Sequence, residues 1–537
     1  MIQKLFGVQS KSVTGAAMLL GSMSLLSRVV GLFRDRLFAH EFGAGQILDA
    51  YYAAFRIPDL VYNILVMGAL SAGFIPIFLS LWEENKEQAW RTVNTLLNLF
   101  GIVLSTVSLL LGILAPYILP HLVPGFDPQE LAETIMLTRI MLFSPILLGL
   151  SGIVSSVLQS FKLFIIYSLA PIIYNIGIIV GVVFFVPILG PNGLAYGVIL
   201  GCALHLIIQL PSLRASGFRY HFLFRPDKAI RDIAIRMIPR ILSLAAYQVN
   251  FIIATVLASG LTAGSIAIFN FANNLQSVPL GMIGISFAMA AFPVLSSLAA
   301  QKNIDGFKEQ LSHTVRVILF FIVPMTIVFL LLRAQIVRVI LGSGNFDWRA
   351  TIMTANTLAF FCLSLFAQCL VLVFVRAFFA LHDTWTPLLV SIVQMFANVI
   401  LSFILLPIFD IPGLAMAFSI ATVIQLALLW LLLRKKIGTL HELRALIALS
   451  KISVSALLMA ITVQALKTPL AAIVDMTRFW GIATQGAVAG IAGFIVYGTF
   501  CRILKLQEML HLQASLKRRW LRMDEITPNA PDLETGG

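Results

Sequence analysis

From Ser12 onward the chain runs in apolar blocks of about 17 to 25 residues with few charges, separated by short clusters of Lys, Arg, Asp, Glu, Pro and Gly. Blocks of that length predict membrane-crossing helices rather than the ten-residue alternating strands of an outer-membrane barrel. A spanning backbone must satisfy its own hydrogen bonds, and a helix of about 20 residues does so across the hydrocarbon layer. Reading the blocks against their punctuation gives about fourteen helices, near 13–40, 47–81, 91–118, 134–158, 165–187, 192–213, 232–259, 264–298, 311–333, 350–380, 387–407, 412–433, 446–466 and 479–504.

The pattern repeats. A shift of 217 residues lays Gly43 on Gly260, Pro76 on Pro293 and the "SL" at 80–81 on that at 297–298. A shift of 220 lays "GLAYGVILGCALHL" from Gly193 over "GLAMAFSIATVIQL" from Gly413. Chance coincidence of small residues in apolar helices is the competing reading. Taken as a duplication, six helices separate the copies, and an even number keeps both in one orientation. That implies two six-helix lobes related by a pseudo-two-fold along the membrane normal, with a ligand site between them. The expected divisions are an N-terminal lobe at 12–215, a cytoplasmic linker at 216–231, a C-terminal lobe at 232–434, two additional helices at 446–504, and a basic amphipathic and disordered tail at 505–537.

Composition agrees with an all-α polytopic membrane protein: 59% of residues are hydrophobic and 11% charged, against roughly 25% charged in a soluble domain, and mean hydropathy is +0.96. The net charge of +13 is concentrated in "RASGFRYHFLFRPDKAIRDIAIR", "QKNIDGFKE", "LRKKIGTLHELR" and "SLKRRWLR". The intervening "PHLVPGFDPQE", "PILGPNG" and "ASGLTAGS" hold no Lys or Arg. This alternation predicts cytoplasmic N- and C-termini and contact with anionic phospholipid, and it argues against nucleic acid as a partner, because no compact basic domain lies outside the membrane. No short apolar segment with a cleavage site opens the chain, so no signal peptide is expected. Cys202, Cys362, Cys369 and Cys501 lie in apolar segments without CxxC spacing and read as structural thiols. His205 and His382 are isolated, so no metal and no cofactor are expected, and the coupling ion is not legible.

Against this apolar background, "SRVVGLFRDRLFAHEFG" at 27–43 places Arg28, Arg34, Asp35 and Arg36 in the first helix. Arg28 lies roughly 22 Å along that helix at 1.5 Å per residue, at a depth where a charge needs a wet cavity or a partner. Arg28 and Asp35 are seven apart and share a face, while Arg34 points elsewhere, which predicts one paired and one unpaired cation. Arg34, Asp35 and Arg36 have the alternative of snorkelling to the outer surface. The second helix adds Asp49, Arg56 and Asp59, with Pro58 to open its backbone. Permanently charged planar forks in a cavity suit a phosphate or carboxylate cargo, a diphosphate above all. No GxxxxGK[ST] is present, so ATP hydrolysis is not expected to drive the chain. In the second copy "FNFANNLQSVPLG" carries Asn270, Asn273, Asn274 and Gln276, suited to sugar or peptide groups or to interhelical packing.

"SRVVGLFRDRLFAHEFG", "DAYYAAFRIPDL", "GALSAGFIPIF", "PLGMIGISFAMAAFPVLS", "LGSGNFDWRATIMTANTLAF", "RAFFALHDTWTP" and "DIPGLAMAFS" together resemble the MurJ (MviN) family of lipid II flippases, in the multidrug/oligosaccharidyl-lipid/polysaccharide exporter superfamily. The resemblance covers about 12–505. It implies two six-helix lobes around a central cavity and two final helices forming a groove for a polyprenyl tail. It further implies a secondary-transporter-type flippase, not an enzyme, in the bacterial cytoplasmic membrane. That flippase moves a polyprenyl-diphosphate peptidoglycan precursor from inner to outer leaflet by alternating access, driven by membrane potential or an ion gradient, with cell-wall synthesis proteins as candidate partners. The family's first-helix arginines fall on Arg28 and Arg34, which would hold the diphosphate, and its motif aspartate on Asp49, which would tune or pair with them. The chain departs from the pattern at "PDLVYN" (Tyr62, Asn63), at Met67 and at "ANNL" (Asn273, Asn274), with Arg56 as a candidate compensating cation. The alternatives are an exporter of another lipid-linked glycan, a small-molecule antiporter, a non-transporting scaffold and a membrane glycosyltransferase. "TQGAVAGIAGFIVYG" suggests close helix packing or a lipid-tail groove, Asp383 a helix cap at a cytoplasmic turn, and "KLQEMLHLQASLKRRWLR" a membrane-surface helix.

Overall fold

A computed structural model describes residues 13–67, 74–224 and 228–520. The expected disordered end "MDEITPNAPDLETGG" and the "GALSAG" part of one motif lie outside the described residues. Every regular element described is helical. The first half holds α1 (Val13–Phe42), α2 (Gln46–Ala54), α3 (Arg56–Val61), α4 (Ile75–Glu84), α5 (Lys86–Leu122), α6 (Pro128–Met141), α7 (Phe143–Ser160), α8 (Phe164–Val180), α9 (Val186–Leu189), α10 (Asn192–Ile207) and α11 (Leu210–Ala215). The second holds α12 (Lys228–Ser259), α13 (Ser265–Pro279), α14 (Ser286–Ala300), α15 (Ile304–Leu331), α16 (Arg333–Ile340), α17 (Trp348–Cys362), α18 (Leu365–Ala380), α19 (Trp385–Phe409) and α20 (Ile411–Ile437). Then come α21 (Glu442–Ile473), α22 (Phe479–Ile503) and α23 (Gln507–Trp520). Among the described residues ten helices are long and apolar enough to cross a membrane, or eleven if the bent pair α17 and α18 is one span.

The helices sort into two lobes. In the first, α1 and α10 pack along α8, α5 along α7, and α2 along α6; in the second, α17, α18 and α19 pack on α20, and α12 packs along α19. α21 and α22 pair with each other and rest on α15 and α16. The duplication is written into the backbone. A π-helical turn, Tyr62–Met67, interrupts the second helix of the first lobe, and another, Leu280–Ile285, interrupts the matching helix of the second. Left-handed residues recur 220 positions apart, Lys162 (φ 59°) with His382 (φ 58°) and Gly190 (φ 59°) with Asp410 (φ 58°). Small-residue coincidence does not produce shared backbone breaks.

Some local expectations change. The segment read as one helix over 47–81 is broken at Phe55, because Pro58 has no N–H to donate to Ala54, and again at the π-helical turn. His205 serves a contact between helices: Ser151 Oγ lies 2.7 Å from its Nδ1, and Gln209 Nε2 donates to its carbonyl at 2.8 Å, joining α7 to α10 and the turn after it. All four cysteines are buried and unbridged. The glycines of α22 pack helices. A Cβ on Gly493 would come within 2.6 Å of Val463 Cγ2 on α21, and Gly486 and Gly490 face Gln335 and Leu332. Asp383 accepts from Thr386 N at 3.0 Å and from Lys436 Nζ at 2.6 Å, tying the turn before α19 to the end of α20. Partial burial works against its charged form, yet the Lys436 ammonium and the Thr386 donors outweigh that and hold the carboxyl below its ordinary range.

The terminal helix α23 is more than a surface element. Glu508 pairs with Arg316 of α15 at 2.9 Å, with side chains 4% and 13% exposed. Removing one partner of a buried ion pair strands the other charge, at about 3–5 kcal/mol. Glu508→Ala is therefore expected to detach α23, read as faster amide exchange across 507–520, with α22 unchanged.

Candidate functional site

The lobes meet along one face of α13 and along α12, which packs on α5 and on the first π-helical turn. At the N-terminal end of α13, and then at Ala267, Asn270, Asn274, Ser277 and, one turn beyond, Gly281, that helix and the π-helical turn after it present positions three or four apart, which a helix stacks on a single side. A polar or charged residue of the first lobe engages each level.

The first level is Asp49, in the first turn of α2. Its Oδ2 accepts from Gly264 N and its Oδ1 from Ala267 N, both at 2.7 Å, and the residue is 3% exposed. These are orphan donors at the start of α13, where Gly264 offers no side-chain cap of its own. Asp49 thus caps a helix of the opposite lobe and makes no ion pair with Arg28 or Arg34, which corrects the role expected of it. Around this contact the backbones interlock. Gly43 has φ +64°, and a Cβ there would lie 2.5 Å from Asn345 O. Asn345 N donates to His40 O at 3.0 Å, and Arg36 Nη1 donates to Val339 O at 2.5 Å. The lobes are closed on each other at this end.

Below it, Arg56 Nε donates to Thr255 Oγ1 at 2.7 Å and its Nη2 to Asn270 Oδ1 at 2.9 Å, with the guanidinium 5.5 Å from the Phe251 ring centroid. Arg56 therefore bridges α3 to α12 and α13 within the helical layer rather than in a loop. Next, Arg34 pairs with Asp35 at 2.7 Å and donates to Asn175 Oδ1 at 3.0 Å. Asp35 Oδ2 in turn accepts from Asn274 Nδ2 at 2.9 Å. The carboxylate expected to share a face with Arg28 is thus held by its neighbour Arg34, since a long side chain on the adjacent residue can fold back to it.

The last level is Arg28. Its Nη1 donates to Ser277 O at 2.8 Å and lies 3.4 Å from Ser277 Oγ, and its guanidinium rests against the bare Cα of Gly281. Pro279 and the π-helical turn that follows disturb the α-helical ladder there. Among the described residues Arg28 has no carboxylate partner. Neither Arg28 nor Arg34 snorkels outward. Both reach the seam, Arg34 four-fifths buried and Arg28 half-buried.

Asn273 does not join this line. It accepts from Gln276 Nε2 at 3.1 Å and borders a void of about 10 Å³ within the second lobe, beside Asn250, Asn398 and Ser402. Asn63 donates to Asp59 O at 2.9 Å, Tyr62 is half-buried, and the Met67 side chain is outside the described set. Sequence reading missed Asn175, Thr255, Ser277 and Gly281. The three-to-four spacing of Ala267, Asn270, Asn274, Ser277 and Gly281 was the signal available for the last two; for Asn175 and Thr255, on other helices, no local pattern existed.

Two like-facing helical lobes, closed at one end and joined by a line of charged and amide groups, define a membrane transporter. The family model described as Lipid II flippase MurJ matches residues 38–480, and the chain belongs to that family. It is 31% identical over 428 residues to the "Probable lipid II flippase MurJ" of Buchnera aphidicola subsp. Schizaphis graminum, covering 78% of this chain and 82% of that protein. It is 27% identical over 434 residues to the "Lipid II flippase MurJ" of Burkholderia cenocepacia, covering 78% and 84%. Among solved structures, "Lipid II flippase MurJ, inward closed conformation" matches with a TM-score of 0.75 at 23% identity, over 91% of this chain and 99% of that one. An inward-facing multidrug resistance MATE family transporter matches at 0.65 and 16%, over 79% and 99%. At these identities the structural likenesses speak to fold.

Proposed function

We propose that this chain moves lipid II, a polyprenyl-diphosphate peptidoglycan precursor, from the inner to the outer leaflet of a bacterial cytoplasmic membrane. It does so by alternating access between the two lobes, with fourteen spans and both termini cytoplasmic. The observation that carries the proposal is Arg28. It is a cation in the seam that no carboxylate neutralises among the described residues, set against a helix whose backbone is opened by a π-helical turn. A diphosphate meets Arg28 first, with Arg34 as the second cation; Asp49 governs the outer closure and Asn274 holds Asp35. The polyprenyl tail has a groove of about 430 Å³ between α15, α20 and α21, walled by Leu311, Val315, Leu319, Trp430 and Leu449. The membrane potential acts on charge carried through it with about 2.3 kcal/mol per elementary charge per 100 mV. One feature favours a second cargo, another lipid-linked glycan: Asn274 stands at the seam where the family pattern has a cation, so fewer charges meet the head group.

The test is complementation of a flippase-depleted bacterium, with lipid II exposed at the outer face as readout. Restored exposure is expected; growth without restored exposure overturns the proposed cargo. Gly281→Leu in the same strain tests the geometry. A side chain at that position occupies the place of the Arg28 guanidinium, so exposure should fall as far as it does when the arginine is removed, with normal membrane insertion.

A further inference from the structure

On the outer surface of the first lobe, away from the seam, an arginine sits where lipid is expected. Arg139 lies roughly 17 Å down α6 from Pro128 at 1.5 Å per residue, and it is exposed among outward-facing apolar side chains, Leu109 at 66% and Phe143 at 61%. Its Nε donates to Gly112 O of α5 at 3.0 Å. Among the described residues it makes no ion pair: Glu130 and Glu133 lie more than a turn further out on its own helix, and no carboxylate on α5 or α7 borders it. A guanidinium among lipid-facing side chains, offering unused donors, calls for an anion.

The surroundings form a site rather than a bare charge. Arg139 and Ser108 border a groove of about 530 Å³, and Ser108, 6% exposed, has a hydroxyl with no hydrogen-bond partner. Ser105 and Ile146 continue this groove into a second of about 800 Å³ that runs toward the cytoplasmic end. Together they follow α5 from Leu97 to Ile113, roughly 24 Å of helix, enough for one extended chain. The inner end is finished by the inter-lobe linker. Tyr220 donates to Asn98 Oδ1 at 2.7 Å and His221 N to Asn94 Oδ1 at 2.9 Å, which lays Tyr220 and Phe222 over the groove.

We propose that this groove holds an anionic phospholipid of the outer leaflet, with its phosphodiester on Arg139 and one acyl chain along α5 to the linker. A zwitterionic lipid fits less well, since its ammonium finds no carboxylate there. Because the chain's far end touches the segment joining the lobes, occupancy bears on how the lobes move relative to each other.

Native mass spectrometry of the full-length protein, given equal phosphatidylglycerol, phosphatidylcholine and phosphatidylethanolamine, tests this. Phosphatidylglycerol should be retained over the other two. Arg139→Gln should lower its retention roughly tenfold, the loss of one charge-assisted contact, and leave phosphatidylcholine unchanged. Ser105→Phe, which fills the groove from its exposed side, should lower phosphatidylglycerol retention with Arg139 intact and decides the matter if the first variant fails to fold. Excess inorganic phosphate should not displace the lipid. Wild-type retention by either folded variant, equal retention of phosphatidylcholine, or displacement by phosphate overturns the proposal, the last by indicating a free-anion site.

Discussion

Arg28→Ala abolishes lipid II exposure at the outer face while the protein still folds and inserts. The two halves of that expectation have separate causes. Arg28 is half-buried and spends one donor on Ser277 O, so removing it leaves no charge stranded and costs folding about 1 kcal/mol. A diphosphate arriving at the same place loses a charge-assisted, two-pronged contact, roughly 1.5–3 kcal/mol per hydrogen bond, or ten- to more than hundredfold in binding. Arg28→Lys keeps the charge without the fork and should fall between the two. Arg34→Ala is a poorer probe. Asp35 is 2% exposed, and stripping its cation leaves a buried carboxylate held by Asn274 alone, so lost activity and lost stability arrive together. Outer-face lipid II measured beside thermal unfolding separates the cases: exposure lost at unchanged melting for Arg28→Ala, both lost for Arg34→Ala.

The second large effect is at Asp49. Asp49→Ala removes two charge-assisted hydrogen bonds that the first lobe makes to the start of α13 in the second, each worth roughly 1.5–3 kcal/mol. Those bonds exist only while the lobes are together at this end, so their loss acts on the balance between closed and open arrangements, by at least a hundredfold on these magnitudes. Nitroxides at Gln46 and Trp348, exposed residues of the two lobes beside the outer seam, report it. The wild type should give a short distance dominating, and Asp49→Ala a longer one. Asp49→Asn retains one acceptor oxygen and should sit between. An unchanged distance distribution in Asp49→Ala would mean that the interlocked backbones around Gly43 and Asn345 hold this end closed unaided.

The sequence carried the architecture because membrane helices announce themselves by length and apolar composition, and a duplication by shared punctuation. It carried the identity of the seam cations too, since an arginine at the depth of Arg28 is too costly to keep facing lipid. Partnerships were less legible. Asp35 was assigned to Arg28 on helical phase, yet the flexible side chain of Arg34 reaches it from the adjacent position. Asp49 read as an electrostatic tuner because nothing near it in sequence reveals that its partners are backbone N–H groups more than two hundred residues away. Asn273 and Asn274 are indistinguishable by composition. One helical step of about 100° turns Asn274 to the seam and Asn273 into the interior of its own lobe. The π-helical turns were signalled only indirectly, by Pro58 and Pro279.

In the proposed function a diphosphate meets Arg28 between the lobes. The most direct measurement is native mass spectrometry of wild type and Arg28→Ala in nanodiscs, each offered a polyprenyl diphosphate lipid and the matching monophosphate. The wild type should retain the diphosphate preferentially and Arg28→Ala should lose that preference; equal preference in both proteins would contradict it.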